Sequence, residues 1–212
     1  MSTGTATLNY AQLASTEQVQ RTAAALQARG IKVHVVDTPA QALEKTRQLI
    51  PAGAEIMTGG SQTLRDIGFE DVLINKAHAW VNLKDAILAE NNPEKQGKLR
   101  AQSTLAQYYL GSIHAIAESG EIIIASGSGS QLPSYAFSSR NVIWVAGTQK
   151  IVPTFDAAMK RVREYSLPQE DVRMKSLGYP GSAITKLLIV EAEPPMLQRN
   201  VNLILVNHLV GV

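Results

Sequence analysis

Glu118-Ser119-Gly120-Glu121-Ile122-Ile123-Ile124-Ala125-Ser126-Gly127-Ser128-Gly129-Ser130-Gln131 sets a carboxylate at a tight turn, then a short apolar strand, then a loop built of Gly and Ser. Apolar Ile122 to Ala125, bounded by turn residues, reads as a buried strand. Core packing has no use for four small residues in a row from Gly127 to Ser130. Such a loop lets backbone N–H groups come close to a ligand, and its serines add hydroxyls. It is either a binding element or a surface connector, and loops that follow sheet strands often carry function.

Working outward, Ile113 to Ala117 and Ile122 to Ala125 are strands flanking the Ser119-Gly120 turn. Towards the N-terminus, Thr16 to Arg29 reads as a helix, capped by Ser15 or Thr16 and ended by Gly30. Ile31 to Val36 alternates and is β-branched, a strand. Pro39 opens a helix to about Ile50, which Pro51-Ala52-Gly53 breaks. Ala54 to Met57 is a short strand running into Gly59-Gly60-Ser61-Gln62, and a short helix follows from about Thr63 to Gly68. Residues 70–110 read as helices, interrupted at Asn91-Asn92-Pro93. Towards the C-terminus, Asn141 to Ala146 is a strand and Pro153 to Tyr165 an amphipathic helix. Pro168 to Gly181 reads as an irregular excursion. Leu187 to Val190 and Val201 to Val206 read as a strand pair closing the sheet. Helices alternating with short apolar strands predict one α/β domain over residues 1–212, with a mixed, mainly parallel sheet and an N-terminal helical segment. The helical stretch about 70–110 is inserted or appended.

Composition narrows the function. The apolar fraction of 45% suits a chain with a sizeable core. Lys and Arg number 20 against 18 for Asp and Glu, and no basic run appears, so nothing points to nucleic acid. With no cysteine, thiolate catalysis, Cys-zinc sites and self-held iron–sulfur clusters are excluded. The polar stretch Met1 to Tyr10 lacks the pattern of a signal peptide, and no apolar run is long enough to span a bilayer. A cytoplasmic protein, not bound to membrane, is expected.

The candidate chemistry lies in two loops and two charged residues. Gly59, Gly60, Ser61, Gln62 and Thr63 follow a strand and open a helix, where unpaired N–H groups suit an anion; the alternative is a plain strand-to-helix turn with a serine cap. Ser126, Gly127, Ser128, Gly129, Ser130 and Gln131 form the second loop. Lys150, at a strand end, either pairs with an anion or sits in solvent. Arg65 has the same two readings, and Arg161 and Arg163 read as the wet face of their helix or as ion pairs with Glu164 or Asp156. Glu118 is a base, a nucleophile, a ligand acceptor or a solvated turn residue. The histidines His34, His78, His114 and His208 form no metal-ligand spacing, so no metal is expected, and His114 reads as a core or edge residue of a strand. No motif names a cofactor: neither G-x-G-x-x-G nor G-x-x-x-x-G-K-[ST] is present, and Gly127-Ser128-Gly129 is not a G-x-S-x-G elbow.

Five stretches together resemble the lactate-utilization (LUD) domain family, of the LutC/YkgG-like kind. They are Gly59 to Gly68, His114 to Gly120, Ala125 to Gln131, Gly147 to Val152, and Ala157 to Val162 with Leu167 to Asp171. The resemblance runs from about residue 10 to the C-terminus. It implies a NagB/RpiA/CoA-transferase-like fold, a superfamily that includes coenzyme A transferases and sugar-phosphate isomerases. In some of those transferases a Glu beside a small residue and Gly forms an acyl link, and Glu118-Ser119-Gly120 is similar to that element. The resemblance also implies a place in lactate or related organic-acid oxidation beside iron–sulfur partner subunits, this chain being the cluster-free component that binds a small anionic metabolite. A free-standing enzyme using Glu118 and an assembly or regulatory protein are the rivals, and a homo-oligomer is open. Gly181 to Leu188 departs from the acidic element that many relatives carry there, with Lys186 inside it.

Overall fold

The computed structural model describes residues 8–212, so most of the polar N-terminal stretch lies outside the described residues. In chain order the elements are Thr16–Ala28 (α1), Lys32–Val36 (β1), Pro39–Gln48 (α2), Glu55–Thr58 (β2), Gln62–Asp66 (α3), Phe69–Ile74 (α4), Val81–Asn82 (β3), Leu83–Ala89 (α5) and Pro93–Gln102 (α6). Then come Tyr108–Gly111 (β4), Ala115–Ala117 (β5), Ile122–Ser126 (β6), Asn141–Gly147 (β7), Ile151–Val152 (β8), Phe155–Lys160 (α7), Leu167–Ser176 (α8), Lys186–Val190 (β9) and Asn200–Val206 (β10). The helix starts follow their caps. Ser15 accepts from the Gln18 backbone N while the Gln18 side chain returns to the Ser15 N, and Thr38 with Gln41 repeats the arrangement at α2.

Two sheets share the strands. The larger is parallel throughout, in the order β1-β10-β7-β4-β2-β3. Its central strands are buried on both faces, and alternation divides each between two cores. Val142, Trp144 and Ala146 face α1 and its neighbours, whereas Ile143 and Val145 face the side of Phe69 and Leu64. The smaller sheet is β8-β5-β6-β9, with β5 and β6 an antiparallel hairpin and β8 parallel to β5. Ala158 and Val162 pack against Ala115, Ile123 and Val152 of this sheet.

Four expectations need correction. The stretch about 70–110 is not wholly helical: β4 lies in the middle of the large sheet, between β2 and β7. Tyr108 to Gly111 is four residues long, and a run that short carries no period to read. Residues 187–190 and 201–206 are not a strand pair. The first lies beside β6 in the small sheet, and the second between β1 and β7 in the large one. Nearness in sequence suggested a hairpin, but two apolar runs say nothing about which sheet each joins. The stretch after Pro168 is helical, since α7 continues through a wide turn at Arg161–Ser166 into α8. Proline lacks an N–H and its ring crowds the carbonyl four residues back, and the wider turn before Pro168 accommodates both. Finally, Arg161 is not on a wet face but wholly buried.

Candidate functional site

The chain crosses from the large sheet to the small one twice, and the crossings lie side by side. β4 passes into β5 through Ser112 to His114, and β7 into β8 through Thr148 to Lys150. Because β4 pairs with β7 and β5 with β8, Lys150 arrives next to Ile113. Its Nζ donates to the Ile113 carbonyl at 3.0 Å, to Ser112 Oγ at 3.0 Å and to Thr63 Oγ1 at 3.2 Å. Ser112 in turn donates to the Val145 carbonyl at 2.7 Å. The lysine therefore ties both crossings and the start of α3 together. Gly211 closes over it: a Cβ there would fall 2.0 Å from Thr63 Oγ1 and 3.0 Å from Lys150 Nζ.

All three partners of this ammonium are neutral oxygens, and Lys150 is buried. Burial pushes its pKa down to about 7, helped by repulsion from Arg161 and opposed by Asp66. Beside it opens a cavity of about 570 Å³. Gly59, Gly60, Ser61, Gln62, Thr63, Ser126, Gly127, Ser128, Ser130, Gln131 and Lys150 all line it. Residues nearly ninety positions apart meet there because β2, β4 and β7 are parallel and their C-terminal ends face one way. Gly129 does not line it: that residue turns with positive φ against the Lys186 side chain. The Gly-Ser loop is held by its own hydroxyls. Ser126 Oγ accepts from the Gly129 N at 2.8 Å and donates to Gln131 Oε1 at 3.0 Å, and Ser128 Oγ donates to Ser130 Oγ at 3.0 Å. Ser61 caps α3 by accepting from the Leu64 N at 3.2 Å.

Glu118 stands apart. β5 and β6 form a hairpin whose open end carries His114 and Ser126 and whose turn carries Glu118, a strand's length of roughly 13 Å away. Its carboxylate accepts from Gln18 Nε2 at 2.9 Å and from Arg21 Nη2 at 2.9 Å. Burial raises its pKa, but these hydrogen bonds outweigh that and hold the carboxyl below its usual range. Glu118 thus docks α1 on the small sheet. Glu118→Gln is expected to cost under about 1 kcal/mol, as a half-exposed ion pair does. It should leave ligand affinity in the cavity unchanged, as equilibrium unfolding and calorimetric titration of the variant would show.

Several cavity residues gave no sequence signal. Ser112 falls between the stretch read as helical and the strand from Ile113, where no pattern marks it. Glu170 and Arg173 line the outer wall from α8, joined through Arg173 Nε to Glu170 Oε2 at 2.7 Å. Their i, i+3 spacing was legible, but only on a helix. Behind the wall, Arg161 donates through Nη1 to the His114 carbonyl and to Ser166 Oγ, and stacks on Tyr165 at 5.0 Å. Its Nε and Nη2 are buried without partners, and burial pushes its pKa down to about 10. Among the described residues no group of three or more His, Asp or Glu is placed to hold a metal ion, and no helix is long and apolar enough to cross a membrane.

Fold and site define an α/β protein with a cavity, lined by polar and apolar groups alike, at the junction of a parallel sheet and a smaller mixed one. A family model for the LUD domain matches residues 19–181, and the chain belongs to the LUD domain family. A crystal structure of a DUF162 family protein from Deinococcus radiodurans is similar over 92% of this chain and 100% of that one, at a TM-score of 0.55 and 12% identity. That likeness bears on the fold. No curated protein matches the chain. Family membership supports a role connected with lactate utilization in general terms.

Proposed function

We propose that the chain binds a small organic anion, lactate or a related acid, in the cavity beside Lys150. In this reading it is the cluster-free component of a cytoplasmic organic-acid oxidation system, working beside iron–sulfur partner subunits. The observation that carries the reading is the charge of Lys150. The ammonium is buried among three neutral oxygens, with Asp66 acting on it only through space, and an anion in the adjoining cavity supplies the charge that no hydrogen-bonded carboxylate does. With its three donors taken, Lys150 acts on the anion through charge, while the Gly59–Thr63 and Gly-Ser loops supply hydroxyl and backbone donors.

The test is binding against pH. In the free protein Lys150 releases its proton near pH 7, and a bound carboxylate favours the protonated form. Affinity for lactate is therefore expected to be greatest below pH 7 and to fall by up to about tenfold per unit above it. Calorimetric titration at pH 8 in two buffers of different ionisation enthalpy should show uptake of up to about one proton per anion bound. An affinity that stays flat from pH 6 to pH 9 removes Lys150 from the site.

A further inference from the structure

His114 stands on the cavity wall, half-buried, two residues beyond Ser112. Its Nδ1 lies 3.2 Å from the backbone N of Ala125. A backbone N–H donates, so Nδ1 accepts. A neutral imidazole whose Nδ1 accepts carries its proton on Nε2. The hairpin enforces this arrangement, because the His114 N donates in turn to the Ile123 carbonyl at 3.0 Å, two residues before Ala125 on the same strand.

The ring is also kept neutral. Two cations approach its backbone: Arg161 donates to the His114 carbonyl, and Lys150 to the Ile113 carbonyl at 3.0 Å. Burial first, then Lys150 and Arg161, push the imidazole pKa down to about 3. His114 is thus poorly suited to taking a proton at neutral pH and well suited to giving a hydrogen bond. Nε2 of His78 is sealed in the interior without a partner, whereas Nε2 of His114 is not sealed and its residue faces the cavity.

The cavity therefore holds two kinds of donor. Lys150 offers charge, which a carboxylate takes. His114 offers an uncharged N–H, which suits a neutral oxygen. Ser112, bonded to Lys150, and His114 are two residues apart, no more than about 7 Å along the chain. Ser112, His114 and Lys150 all border the same cavity. We propose that His114 donates its Nε2–H to the oxygen on carbon 2 of the bound anion, so that the site selects 2-oxo and 2-hydroxy carboxylates over plain ones. This rests on the anion-site reading above.

Two measurements test it. Long-range proton–nitrogen NMR of the wild-type protein, with the His114 signals assigned by their loss in His114→Gln, should show the Nε2–H tautomer at pH 8 and again at pH 5. An Nδ1–H pattern, or an imidazolium near pH 6, overturns the proposal. In titrations, the wild type should prefer pyruvate and lactate over propionate by about 3- to 10-fold, the worth of one hydrogen bond. His114→Phe should lose that preference, and His114→Gln, whose amide still donates, should restore part of it. Equal affinities in the wild type, or an undiminished preference in His114→Phe, overturns the ligand class. If none of the three acids binds the wild type, the anion site itself falls and the ligand class with it, while the NMR pattern still decides the tautomer independently.

Discussion

Replacing Arg199 by Met is expected to lower the unfolding free energy by about 3–5 kcal/mol, the range for removing one partner of a buried pair. A guanidinium has five N–H donors, and here each meets one acceptor. Nε donates to the Ser139 carbonyl at 3.1 Å, Nη1 to the Ala136 carbonyl at 3.1 Å and to Glu193 Oε2 at 2.8 Å. Nη2 donates to the carbonyls of Ser134 at 3.0 Å and Tyr135 at 2.9 Å. The two charged side chains are only 5% and 8% exposed, so water reaches the charged groups poorly. Methionine would fill much of the volume yet take the guanidinium from four carbonyls and a carboxylate. Burial already raises the Glu193 pKa against the pull of Arg199, and without Arg199 it should rise further. Arg199→Met combined with Glu193→Gln should therefore recover part of the loss. Urea unfolding of the two variants and the wild type measures both effects. A loss below about 1 kcal/mol would mean that the turn Ser134–Ser139 holds itself. Because that turn carries Tyr135 on the cavity wall, Arg199→Met should also weaken ligand binding.

Replacing Lys150 by Met is expected to weaken anion binding at pH 6 by about 10- to 100-fold, the worth of an interaction with a charged group. Stability gives an independent signature. In the wild type the folded pKa is about 7 against an ordinary value of 10.5. Between these values the unfolded chain holds a proton that the folded one has released, so stability should rise with pH across that window. Below pH 7 both states hold the proton and this slope is absent. Lys150→Met should lose both the slope and the rise in melting temperature that lactate gives. A variant that binds lactate as the wild type does would refute the site.

Sequence patterning went far because many local signals agreed. The capping boxes at Ser15 and Thr38, the β-branched run of β1 and the serine cap at Ser61 are each decided within a few residues. Both small-residue loops were legible for the same reason: runs of Gly and Ser after strands have few other uses. Glu118 was misleading because distance along the chain stood in for distance in space. Seven residues separate it from Ser126, and they round the turn and run the length of a strand. Arg199 and Glu193 carried no signal at all, as an isolated Arg and a Glu before two prolines read as surface.

Taken alone, the sequence determined the α/β class, the family, the positions of most helices and strands, and the loops that line the cavity. The family came from the resemblance of five short stretches; the rest depends on backbone preference and apolar period, which are local. The tertiary structure decided that β9 and β10 join different sheets, that Tyr108 to Gly111 is a central strand, and that Lys150 and Arg161 are buried. It also fixed the tautomer of His114 through one backbone amide eleven residues away. Strand partners, burial of charge and the state of a proton depend on what lies across the gap in space, and no period along the chain encodes that.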